Sequence, residues 1–370
     1  MLSGRLGRVQ GSSLIVFFAS KCMRIFERGK LLFSFRSTMG FRFENYETPI
    51  DGVRRIANER LDEAITAASA KPRPSPQDVH EIRKDLKSLR ALLQLARGNL
   101  VKTMRTQENL VLRDAGRTLS GTRDAEALMG ALEKLFGTPE RPKGEALQPV
   151  GRKIVDRIRQ QLQTEAARSL TQRELKTVTE LLANMRTRIP DWVFVSGVIQ
   201  RGSMLLAAGL EHTYRRGRQH YRIVETIGME NATDELWHEI RKQAKALGYQ
   251  LRLIRKIWPS AIHAWNDALD ELSNSLGDDH DFALIQQRIL QLPIEPADTE
   301  EDVNARQAFL RTIERRRHRL KTLSLHRARM IYVEKPARFV ERLSVYWELW
   351  REGGKAAASR KRGVNGRNPR

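Results

Sequence analysis

Apolar residues recur at every third or fourth position along most of the chain. One stripe runs through Ile82, Leu86, Leu89, Leu93, Ala96 and Leu100, and another through Ile240, Ala244, Leu247, Leu251, Ile254 and Trp258. Spacings of three and four place each set on a single buried helix face. Period-two alternation is scarce, so the pattern predicts an all-α fold. Three breaks rich in turn formers read as loops between helices: "KPRPSP" at 71–76, "GTPERPKGEALQPV" at 137–150 and "QLPIEPADTEED" at 291–302. Trp192, Trp237, Trp258 and Trp265 fall at apolar positions and are assigned to packing.

The two stripes belong to a repeat. "VHEIRKDLKSLR" at 79–90 returns as "WHEIRKQAKALG" at 237–248, 158 residues on. A second match follows each: "LSGTRDAEAL" at 119–128 pairs with "LGDDHDFALI" at 276–285. Asp124 then stands 44 residues after His80, and Asp281 stands 43 after His238. Two matches at nearly equal separation predict a duplicated helical unit, about 41–190 and 191–350.

The opposite helix face carries the candidate chemistry. His80, Arg83, Lys84 and Lys87 fall within roughly 60° of one another, with Arg90 at the edge. The second copy repeats this with His238, Arg241, Lys242 and Lys245, extended by Arg252 and Lys256, while Gly248 replaces Arg90. Stacked cations at i,i+4 repel by roughly 0.2–0.5 kcal/mol per pair. An ordinary solvated face would interleave Glu, yet Glu81 and Glu239 each reach only the Lys three residues on. An unneutralised stripe that appears twice points to a polyanion site rather than to a solvated basic face. The start, His-Glu, imitates a zinc-protease helix, but Lys84 and Lys242 stand where the second imidazole would be.

Charge sharpens the reading. The 370 residues carry a net charge of +22, of which residues 1–38 and 351–370 hold +6 each, leaving +10 for the middle. An anionic partner follows more readily than any fold. The end segment "GGKAAASRKRGVNGRNPR" has no apolar period and reads as a disordered basic tail. Near the start, "LIVFFA" at 14–19 follows Arg5 and Arg8. The plainest reading of 1–40 is an upstream extension with folding beginning near Met39; a targeting segment and an ordered part of the domain are the alternatives. A single Cys22 suits a reducing, cytoplasmic setting, and no run of 18 apolar residues offers a spanning helix.

Nonspecific nucleic-acid binding competes with this reading. Against it, only 6% of the chain is aromatic and no aromatic interrupts the stripes before Tyr249, whereas single-strand grooves add stacking rings. A metal-dependent phosphohydrolase is the weaker alternative. "DDHD" at 278–281 supplies candidate ligands, but successive helical residues point in different directions and the first copy, "GTRD", lacks the set. No catalytic residue, metal or cofactor is expected. The internal duplication already supplies two halves that a dimer would otherwise bring together.

The HEIRK segments, their flanking cations and the Leu-x-x-x-(Arg/His)-Asp elements, in this order, resemble the CHAD family, the conserved-histidine α-helical domain. The resemblance spans about 41–350, including "YRRGRQHYR" at 214–222 and "YVEKPARFVERLSVYW" at 332–347. It implies two helical bundles related by pseudo-two-fold symmetry, with the basic helices facing a central cavity or pore. It also implies binding of inorganic polyphosphate, often at polyphosphate granules. Carried over by motif, the binding residues are His80, Arg83, Lys84, Lys87 and Arg90, then His238, Arg241, Lys242, Lys245 and Arg252. Gly248 departs from the cation usual at its position. "YRRGR" has two readings: Tyr214, Arg215 and Arg218 line the cavity, or the segment is a surface turn at Gly217. Each of the two histidines is either a ligand contact or a structural bond to a neighbouring helix. Asp124 and Asp281 are expected to orient basic side chains or cap a helix.

Overall fold

Ser75 and Asp78 set the start of the first histidine helix by exchanging side-chain and backbone hydrogen bonds, and Pro76 fixes its first residue. The computed structural model describes residues 40–70, 74–119, 121–143, 149–167, 170–195, 204–293 and 299–365; at 121–124, 149, 204–205 and 355–365 it describes the backbone alone. Expectations for 1–39 and 366–370 lie outside these residues.

Among the described residues there are eleven α-helices: α1 (Pro49–Ala68), α2 (Pro76–Leu95), α3 (Lys102–Thr118), α4 (Gly121–Phe136), α5 (Pro149–Ala166), α6 (Gln172–Arg188), α7 (Met204–Ile227), α8 (Asp234–Leu253), α9 (Pro259–Gln291), α10 (Glu300–Ile331) and α11 (Pro336–Asn365). Extended pairing among these residues is limited to isolated bridges such as Leu100 with Phe194. The all-α expectation holds; of the three expected loops, residues 71–73, 144–148 and 294–298 lie outside the described residues, and they stand between α1 and α2, α4 and α5, and α9 and α10 in the chain.

Two differences from the sequence reading have local causes. The spacing of the second apolar stripe extends to Trp258, but α8 stops at Leu253 because Pro259 opens α9 and disfavours helical backbone at the residue before it. Trp258 is 46% exposed and meets Tyr346 edge-on, so it is not the core residue expected. The backbone of α11 also runs to Asn365, through most of the segment expected to lack structure. Its Lys, Arg and Ala residues are good helix formers even without an apolar face.

Two apolar cores form, and neither belongs to one half of the chain. The larger gathers Ile56 and Leu61 of α1, Ile82 and Leu89 of α2, Leu210 of α7 and Leu247 of α8, with neighbours from α3, α6, α9, α10 and α11. The smaller combines Leu132 and Phe136 of α4, Ile158 of α5, Phe282 and Ile285 of α9, and Phe309 and Ile313 of α10. Helix α9, 33 residues and therefore about 50 Å long, contributes to both.

Helices α2, α7 and α8 all touch one another. Glycine makes the closest approach: a Cβ on Gly209 would lie 2.2 Å from the Leu95 carbonyl oxygen, so α7 rests directly on the last turn of α2.

Candidate functional site

Each basic face lies along the helix that follows it. Arg83 donates to the Leu119 carbonyl at the end of α3 (2.7 Å), and Arg90 Nε donates to Asn109 Oδ1 on α3 (3.1 Å). In the second copy Arg241 Nε donates to the Ser273 carbonyl of α9 (3.3 Å), and Arg252 pairs with Asp270 of α9 (2.5 Å). The bonds of Arg90 and Arg241 go to neutral oxygens, which position a guanidinium without cancelling its charge. Burial and the nearby Arg113 hold the Arg90 guanidinium below its ordinary value.

The lysines stand further out. Lys84 and Lys242 are exposed, and each is paired with the glutamate three residues before it, Glu81 at 3.1 Å and Glu239 respectively. This is the arrangement the sequence predicts. Lys87 is exposed, while His80 and Lys245 are half-buried.

His238 is half-buried, its ring 5.3 Å from that of His280 on α9. Its Nδ1 is buried and makes no hydrogen bond within the protein. Burial, then His280, Arg241 and Lys242, lower its pKa, with Glu235 acting the other way. In "DDHD" the four residues commit to different neighbours. Asp278 pairs with Lys134 (2.6 Å), Asp279 with Arg317 (3.0 Å), and His280 faces His238. Burial pushes the Asp281 carboxyl up, and the charge of Arg241 opposes that shift. No cluster of three metal-ligating side chains occurs among the described residues. Asp124's side chain lies outside them.

"YRRGR" needs correction. It is not a turn, because α7 runs through it as unbroken helix. Tyr214 is fully buried, stacked on Phe339 with ring centroids 4.0 Å apart, and its hydroxyl donates to the Ile331 carbonyl at 2.9 Å. Arg218 Nε donates to the next carbonyl, Tyr332 (3.1 Å). Both therefore cap the end of α10, where carbonyls lack helical partners. Gly217 is buried because a Cβ there would meet the Tyr332 ring at 2.4 Å. Arg215 does point outward, paired with Glu211. Tyr214→Phe is expected to cost about 1–2 kcal/mol of stability, since it leaves the Ile331 carbonyl short of a donor. Polyanion affinity should not change; thermal melting and calorimetry check both.

The α7 residues that sequence reasoning missed are His212, Arg216 and His220, spaced i, i+4, i+8. Burial pushes the Glu239 carboxyl up, but Lys242 and, to a smaller degree, His220 and Arg216 of α7 bring it below its ordinary value. His212 is flanked by Arg97, Arg216, Arg215 and Arg105, which, after burial, depress its pKa. The available signal was helical phase. Tyr214, Gly217 and Tyr221 mark the buried side, which turns residues 212, 216 and 220 towards another.

Fold and site together define an all-α protein organised around two histidine-led basic helices. The chain belongs to the CHAD domain family, whose model matches residues 55–290, from α1 to the end of α9. Helices α10 and α11 lie beyond that match. Among solved structures, the CHAD domain from the plant Ricinus communis is similar in fold at 17% identity and TM-score 0.53, covering 77% of this chain and 94% of its own. PptA from Streptomyces chartreusis is similar at 12% identity and TM-score 0.52, covering 77% of this chain and 98% of its own. No curated protein matches the chain in sequence. No described helix is long and apolar enough to cross a membrane.

Proposed function

We propose that the protein binds inorganic polyphosphate, without chemistry, along a cationic tract running from α8 across α7 to the corner between α2 and α3. The observation that carries this reading is continuity. Arg216 and His220 extend the α8 cations onto α7, and His212 on the same helix lies near Arg97 and Arg105. Polyphosphate carries about one charge per internal phosphate and offers no base to stack or read. Its receptor needs guanidinium forks, ammonium charges and imidazoles in series. Tyr249, the first aromatic to interrupt the basic face of the second copy, is engaged: the Arg252 guanidinium lies 5.3 Å over its ring. In this reading α2 and α8 are the halves of a duplicated unit, related by a pseudo-two-fold axis and facing a shared cavity. Residues 41–350 act as one domain, and binding holds the protein to polyphosphate granules in the cytoplasm.

Calorimetry of the full chain against long-chain polyphosphate and an equally charged single-stranded DNA tests the reading. Polyphosphate should bind at least about tenfold tighter at roughly 150 mM salt, with log affinity falling steeply against log salt. Equal affinity for both polymers would leave a nonspecifically basic protein. The pH dependence has a definite sign. His238 titrates below its ordinary 6.5 in the free protein, so it is neutral near pH 7 and its burial costs stability as pH falls through and below 6.5. A polyanion favours the imidazolium, so binding should take up protons and tighten between about pH 7 and 5.5. Titrations in buffers of different ionisation enthalpy measure that uptake, and His238→Gln should reduce it.

A further inference from the structure

Gly248 stands where the first histidine helix has Arg90, and that difference leaves a buried acceptor unused. In the first copy Arg90 Nε donates to Asn109 Oδ1 at 3.1 Å. Asn266 lies 157 residues after Asn109, the interval that also separates Asp124 from Asp281. Asn266 borders Gly248: a Cβ there would lie 3.7 Å from Asn266 Oδ1 and 3.9 Å from Arg252 Nη1. With no arginine to donate to it, Asn266 Oδ1 is buried and accepts no hydrogen bond from the protein, and the residue as a whole is only 7% exposed.

Beside this amide opens a cleft of about 500 Å³ whose lining includes Arg252, Arg255, Lys256, Asn266, Asp267 and Asp270. It mixes cations with acceptors. Arg252 pairs with Asp270, Lys256 with Glu44, and Arg255 donates to the carbonyls of Phe41 and Arg252. Cations alone would suit any anion. Cations combined with an idle amide oxygen and two carboxylates, Asp267 and Asp270, suit an anion that also carries a hydrogen-bond donor. Internal phosphates of a polyphosphate chain have no proton to donate near neutral pH. A terminal phosphate does, because its second ionisation resembles that of a phosphomonoester, near pH 6.

Resting on the polyphosphate reading above, we propose that this cleft seats the terminal phosphate of the chain, its P–OH donating to Asn266 Oδ1 and its anionic oxygens held by Arg252, Arg255 and Lys256. Arg252 is long, partly exposed and borders the space before Gly248, so drawing its guanidinium towards the phosphate uncovers the amide. The first copy has no such seat because Arg90 fills it. One helix of the pair therefore reads the end of the polymer while the other reads only its length.

Calorimetry of the full chain at about pH 6 compares linear tripolyphosphate, which has ends, with cyclic trimetaphosphate, which has none. Orthophosphate and long-chain polyphosphate are run alongside. The linear anion should bind at least about tenfold tighter than the cyclic one. Gly248→Arg should abolish that preference despite its added positive charge, and Asn266→Ala, which keeps the cleft open, should do the same. Circular dichroism checks both folds, and Asn266→Ala carries the test if Gly248→Arg does not fold. Long-chain affinity should change less than about threefold in either variant, because most of its contacts lie elsewhere. A linear-to-cyclic ratio unchanged in the folded variants, or absent from the wild type, overturns the end seat. Orthophosphate binding as tightly as tripolyphosphate overturns it in favour of a free-phosphate site. Failure of long-chain polyphosphate to bind the wild type overturns the parent reading instead.

Discussion

Lys84→Glu/Lys242→Glu is expected to weaken long-chain polyphosphate binding about a hundredfold at roughly 150 mM salt, while the protein stays folded. A unit-charge pair at about 4 Å in water is worth roughly 1 kcal/mol. Reversal exchanges attraction for repulsion, so two sites forgo roughly 4 kcal/mol before screening and readjustment of the polymer. About 2.7 kcal/mol, or a hundredfold, survives a reasonable discount. Folding is spared because both lysines are exposed and each pairs with the glutamate at i−3. Losing such surface pairs costs a few tenths of a kcal/mol. Lys176→Glu/Lys335→Glu makes the same change in net charge on α6 and ahead of α11, so it separates a local effect from a global one. Equal weakening by the two double variants would mean that the +22 charge, rather than the tract, attracts the polymer.

How much of this was legible in the sequence depends on what each feature needs. The histidine helices were legible because their information is local: three-and-four spacing for the buried side, and a dense run of cations opposite it. Even the Lys84–Glu81 and Lys242–Glu239 pairs follow from helical spacing alone. What the cations hold onto was not legible, since Arg83, Arg90 and Arg241 reach α3 and α9 across tertiary contacts. Tyr214 shows the same limit. An aromatic within "YRRGR" looked exposed by its company, yet helical phase places it with Gly217 and Tyr221 against Tyr332. The stripe ending at Trp258 fails for a simpler reason: Pro259 opens the next helix and stops α8 short of it. The interleaving of the halves in two cores is a property of topology, which no periodicity encodes.

Gly209→Ala should have the largest effect on stability, about 3–5 kcal/mol, and it bears on the site because α7 carries the middle of the proposed tract. The new Cβ would stand 2.2 Å from the Leu95 carbonyl oxygen, 2.5 Å from that of Gln94 and 2.5 Å from Leu95 Cα. These are backbone atoms in the last turn of α2, so no side chain can swing aside, and the two helices must separate to relieve the overlap. Separation would open the main core at Leu210 and strand Leu95, both of which are buried there. Such a loss would lower the melting temperature by about 6–20 °C. Gly130→Ala is the matching control, because a Cβ at that α4 position meets nothing within 4 Å and should instead add roughly 0.5–1 kcal/mol of helix propensity. Where Gly209→Ala remains folded, polyphosphate affinity should also fall, since His212 and Arg216 would move away from Arg97 and Arg105. A variant that melts like the wild type would mean that α2 and α7 do not cross this closely. A variant that is destabilised but binds normally would mean that α7 does not join the two basic helices into one tract.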